Sequence, residues 1–70
     1  MTPFGLKMRE LRRQHNLTQQ QQATFLGVSK AYISALETGE RGQPSAIFVD
    51  QICVWLGLIW DDAEELKRLA

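Results

Sequence analysis

The stretch LTQQQQATFLGVSKAYISALETG, residues 17–39, carries two helix starts and two helix stops in close succession. Thr18 followed three residues later by Gln21 has the Thr-x-x-Gln form of a capping box, which satisfies orphan amides at both sides of a first turn. The helix opened there is short, because Gly27 suits a left-handed stop. Ser29 caps again at once, and the next helix runs through Ile33 and Leu36 to a stop at Thr38-Gly39. Only Gly27-Val28-Ser29 separates the two helices, so they must cross sharply. Val28 is expected to plug the inside of that corner. Ala23 is small where the helices approach, and Ile33 with Leu36 faces back into the molecule.

Working outward, Thr2-Pro3 reads as an N-cap with a first-turn proline. Phe4, Leu6, Met8 and Leu11 supply an apolar face to a first helix that fades near His15-Asn16. On the other side, Gly39–Pro44 is the one loop of any size. Ser45 caps a fourth helix reaching Leu56 before Gly57, and Asp61 with Glu64 is expected to cap a fifth, from Asp62 to about Leu69. No strand-like alternation occurs. The expectation is an all-α, compact five-helix bundle forming one domain over residues 1–70, with a helix-turn-helix in its second and third helices. The chain stops inside a predicted helix, so an amino-terminal domain of a longer native chain stays open as a reading.

Seventy residues make one small domain, with 44% hydrophobic and 23% charged residues, the balance of a globular chain. No apolar run approaches the roughly 20 residues that span a bilayer, and no secretory signal opens the chain, so a cytoplasmic protein is expected. One cysteine and one histidine form neither an internal disulfide nor a zinc site alone. No metal or cofactor is expected. Catalysis is poorly supported: His15 sits at a helix end, Cys53 falls on an inward stripe, and Asp61, Asp62, Glu64 and Glu65 fit first-turn placement. The net charge is zero, but its distribution is uneven. Residues 1–41 hold six Lys/Arg against three Glu, while residues 42–70 hold two against five acids. A neutral chain with one basic half still presents a cationic face to an anionic partner.

Leu17-Thr18-Gln19, Ala23, Leu26-Gly27-Val28-Ser29, Ile33-Ser34, Leu36-Glu37-Thr38-Gly39, Arg41, Pro44-Ser45 and Leu56-Gly57 resemble the Cro and phage-repressor-like (Xre-type) helix-turn-helix transcription regulators. The likeness covers about residues 4–58, with one extra residue between Arg41 and Pro44 relative to the commonest pattern. It implies a lambda-repressor-like domain whose third helix enters the major groove of double-stranded DNA. Gln19 then resembles the glutamine that binds a phosphate and buttresses the recognition helix; otherwise it only belongs to the capping segment. Ser29 is foremost a cap, with a phosphate contact second. Lys30, Ala31, Tyr32, Ser34 and Ala35 would form the reading surface: Lys30 for guanine or phosphate, the alanines for thymine methyls, Ser34 for either kind of base edge. Tyr32 has an alternative, its ring lying against the core. So sparse a surface points to methyl contacts and DNA deformability over bidentate hydrogen bonds. Thr38, Arg41 and the amides of Gly42 and Gln43 would grip the backbone, with Arg41 alternatively a solvated loop charge. Arg12 and Glu37 resemble an ion pair between the first and third helices. Read as an exposed pair, it orients Arg12 near a phosphate and adds little stability.

Two departures from that pattern stand out. Gln22 lies where relatives usually carry a buried leucine and Phe25 where they are polar, as if the apolar load had moved from 22 to 25. The fourth helix adds Phe48/Trp55 and Ile47/Val54 stripes to its inward Val49, Ile52, Cys53 and Leu56, and Leu58, Ile59 and Trp60 follow. Such an apolar excess on a small domain calls for a cover. A two-fold homodimer through Phe48, Trp55, Leu58, Ile59 and Trp60 would supply one, setting two recognition helices about one DNA turn, roughly 34 Å, apart. The alternative is a fifth helix folded over Trp55 and Trp60. The function expected is sequence-specific regulation of transcription, as a repressor on a palindromic operator. The alternative is a protein-interaction module on the same fold, such as an antitoxin or a subunit controlled by a protein partner.

Overall fold

A computed structural model describes all residues from Met1 to Ala70. Five helices follow in order: α1 Pro3–Gln14, α2 Gln19–Leu26, α3 Lys30–Thr38, α4 Ala46–Leu56 and α5 Trp60–Leu69. Four of the five begin on the caps expected from sequence. The hydroxyls of Thr2, Thr18, Ser29 and Ser45 accept from the N–H groups of Gly5, Gln21, Tyr32 and Phe48. The Thr18 box is reciprocal, since the Gln21 side chain accepts from the Thr18 N–H at 2.8 Å. Gly27, Gly39 and Gly57 end α2, α3 and α4 with φ of 73°, 91° and 64°, a region that L side chains avoid.

The fifth helix corrects the expectation. It starts at Trp60 behind Ile59, with no side-chain cap, and Asp61 and Asp62 lie inside its first turn. Their carboxylates complement the helix dipole there instead of closing the end. Packing decides this start: Leu66 is fully buried against α1 and α4, and the ion pairs Lys7–Glu65 (3.3 Å) and Lys67–Asp50 (3.2 Å) tie α5 to both.

Phe4, Met8 and Leu11 of α1 meet Val49, Ile52, Cys53 and Leu56 of α4 and Leu66 of α5 in one core. Each fully buried side chain of this kind contributes about 1.5–3 kcal/mol against exposure. Leu6 does not join them; it is exposed, because it stands two residues, some 200° of helix, away from Phe4. Ala23, Ile33 and Leu36 are buried at the α2–α3 corner as expected, and Val28 is half-buried there. α1 and α3 approach so closely at Gly5 that a Cβ there would lie 2.2 Å from the Glu37 carbonyl oxygen. The Thr2 N–H and hydroxyl both donate to that oxygen, each at 3.0 Å. No helix is long and apolar enough to cross a membrane.

Candidate nucleic-acid interface

Behind α3 lies a polar lock that joins three helices. The Arg12 guanidinium forms a bidentate pair with the Glu37 carboxylate, and the same Nη1 donates to Gln22 Oε1 at 2.7 Å. Gln19 Nε2 donates to Glu37 Oε1 at 3.1 Å. Arg12, Gln22 and Glu37 are all buried, at 6%, 1% and 2% exposure, and no buried side-chain polar atom lacks a partner. This corrects two expectations. The Arg12–Glu37 pair is interior, so removing one partner would strand a desolvated charge. Gln22 has not yielded its inward place to Phe25: it fills that place as a hydrogen-bond acceptor, while Phe25 is largely exposed and stacks on Trp55 with ring centroids 6.1 Å apart.

On the outer side of α3, Lys30, Ala31, Ser34 and Thr38 are exposed, while Tyr32 and Ala35 are half-buried. The Thr38 hydroxyl donates to the Ala35 carbonyl at 3.2 Å. The Tyr32 ring meets Phe48 edge-on at 5.9 Å, and the Arg41 guanidinium lies 5.5 Å from its centroid. Tyr32 therefore joins the loop to the bundle, the alternative its sequence left open, and Arg41 is held over an aromatic face. The Gly42 N–H is bonded to the Gly39 carbonyl, which removes one of the two loop amides considered for backbone contact. Gln43 borders a separate cavity with Pro44, Lys67 and Ala70.

Arg12, Gln19, Lys30 and Ser34 come together along an open trough of about 1060 Å³ between α1, the start of α2 and α3. Glu37 forms part of its floor, and Arg9, Glu10 and Arg13 of α1 line it as well. Sequence reasoning did not single out Arg9 and Arg13. Their i, i+4 spacing on one face of a helix was the available signal.

The helix-turn-helix domain family matches residues 3–68. The chain belongs to that family. It is 39% identical over 62 residues to the uncharacterized HTH-type transcriptional regulator RghRB of Bacillus subtilis, covering 89% of this chain and 45% of the relative. It is 42% identical over 52 residues to the HTH-type transcriptional repressor RghR of the same organism, covering 74% of this chain and 38% of the relative. The chain thus spans less than half the length of either relative. No solved structure gives a match. Within the family's architecture α2 and α3 are the helix-turn-helix pair, and α3 occupies the place of the recognition helix.

The remaining residues assigned to association lie on the α4–α5 side. Phe48 is half-buried against Tyr32, and Trp55 is half-buried against Phe25. Leu58 is half-buried, whereas Ile59 and Trp60 are 74% and 85% exposed. The fifth helix does not fold over Trp60.

Proposed function

We propose that the chain binds double-stranded DNA by seating α3 in the major groove, and that it represses transcription from a two-fold symmetric operator as a homodimer. The observation that carries the reading is the placement of Lys30, Ala31, Ser34 and Thr38 on an exposed helix face, beside a trough that also holds Gln19. Gln19 projects from the first turn of α2, where amides and the helix dipole favour an anion, and Glu37 fixes its amide. Lys30 supplies the only long cation on the reading face, so methyl contacts from Ala31 and Ala35 and the pliability of the duplex carry much of the sequence preference. The name of the relative RghR supports repression as the outcome.

The dimer is supported by apolar side chains that the protomer leaves open at Ile59 and Trp60, with Ile47 and Val54 of α4 exposed as well. A two-fold axis through this side would present two recognition helices to successive turns of one DNA face. The test is binding of duplexes selected from a random pool. Lys30→Ala/Ser34→Ala should reduce affinity for the selected sequence by tenfold or more, at about 1–3 kcal/mol per lost base contact. Unchanged affinity would sink the reading.

The same apolar surface favours a second reading, a module that binds a protein partner. Salt separates the two. Duplex affinity resting on several phosphate contacts falls steeply as salt rises, and an apolar protein interface does not follow it.

A further inference from the structure

We infer that Arg9 and Arg13 form a second row of phosphate contacts on α1, so that a duplex is gripped from both walls of the trough. The inference rests on the DNA-binding reading and extends it to an element outside the helix-turn-helix pair. Four residues apart, the two arginines stand about 6 Å from each other along the helix axis and on the same face. Both are exposed and both line the trough opposite Lys30 and Ser34.

Arg9, Arg13, Lys30, Arg41 and Arg68 lack an acidic partner, and of these five only Arg9, Arg13 and Lys30 line the trough. Lys7 is paired with Glu65, Lys67 with Asp50 and Arg12 with Glu37. Arg9 makes one polar side-chain contact, from Nη1 to Met1 Sδ at 3.8 Å, and Arg13 makes none. Glu10 is the one exposed acid on this wall, and its carboxylate accepts from Gln14 at 3.4 Å. Arg9, Arg13 and Lys30 therefore leave the trough with a positive excess. Two like charges at i, i+4 repel on a bare helix, and an anion placed across them removes that cost. Arginine suits the role because its planar fork matches phosphate oxygens two at a time.

The row carries no sequence information, so its signature is electrostatic. Affinity of the wild-type chain and of Arg9→Gln/Arg13→Gln is measured by fluorescence anisotropy, from about 50 to 200 mM salt. The probes are a selected duplex, a scrambled one and polyglutamate. The plot of log affinity against log salt should become shallower by about 1.8, or 0.9 per lost contact. Low-salt affinity should fall by a similar factor on both duplexes, leaving their ratio unchanged. Arg68→Gln, which removes one exposed positive charge away from the trough, should leave the slope as in wild type. An unchanged slope in the double variant overturns the proposal, as does an equal change per charge in Arg68→Gln. It is likewise overturned if the double variant loses only binding to polyglutamate, which would assign the row to an acidic protein. Wild-type chain that binds neither duplex at any salt removes the DNA reading itself, a result distinct from the others.

Discussion

The two sides of this small domain treat the same problem in opposite ways. Around α3, polar side chains go inside and are fully partnered: Arg12, Gln22 and Glu37 are buried, with Gln19 on their rim. Around α4 and α5, apolar side chains stay outside: Ile47, Val54, Ile59 and Trp60 are all exposed. A core built only for stability would reverse both choices, since a buried ion pair is seldom better than an apolar filling. On the proposed function, one side serves geometry and the other association. Each half of that statement has its own way of failing.

The largest expected effect is Glu37→Ala. It leaves the Arg12 guanidinium buried without its carboxylate and should destabilise the fold by about 3–5 kcal/mol. In a domain this small that leaves little folded chain at 37 °C, as thermal unfolding followed by circular dichroism would report. Replacing the lock whole, with Arg12→Met/Gln22→Leu/Glu37→Leu, should recover most of that stability while duplex affinity stays low. A triple variant that binds DNA normally would show the lock has no part in placing α3.

Gly5→Ala comes next. Its new methyl group would meet the Glu37 carbonyl, a backbone atom with no rotamer to give, at a cost of about 1–3 kcal/mol. The midpoint of thermal unfolding should drop by roughly 4–8 °C per kcal/mol. On the other side of the molecule, Trp60→Ser should change protomer stability by no more than about 0.5 kcal/mol, because the ring is already in solvent. Sedimentation at micromolar concentration should nevertheless move it from dimer to monomer. A wild-type chain that is monomeric both on and off DNA would remove the association half of the contrast.

The smallest effect concerns Cys53. Burial pushes its thiol above the ordinary range, Asp50 adds to the rise and Lys67 opposes it. With the folded value raised, the native state holds the proton longer than the unfolded chain. Stability is thus unaffected below the ordinary thiol range and declines as pH rises through it. Cys53→Ala should flatten that alkaline decline in urea titrations, and the native thiol should react slowly with alkylating reagents.

Local chemistry was legible in the sequence, and long-range pairing was not. Thr18 with Gln21, Ser29, Ser45 and the glycines at 27, 39 and 57 announce themselves within a turn of where they act. So did the Phe4, Met8 and Leu11 stripe. The start of α5 did not, because a polar residue at Asp61 looked like a cap and the packing of Leu66 prevailed. Gln22 misled for a related reason. Its partner lies ten residues away on another helix, and a lone glutamine on an inward face reads as a defect until that partner is seen. The Arg12–Glu37 pair came from resemblance, and resemblance gave its partners but not its burial. Gly5 was passed over entirely, since nothing near it in the chain hints that α3 lies against its hydrogen.

Glu37 is seized twice, at its carbonyl by Thr2, the N-cap of α1, and at its carboxylate by Arg12 within α1. Turning α3 about its axis would tear the second grip, and shifting it lengthwise would tear the first. A helix denied both roll and slide offers one rigid template, so on the DNA-binding reading any accommodation between imperfectly matched sites must be made by the double helix.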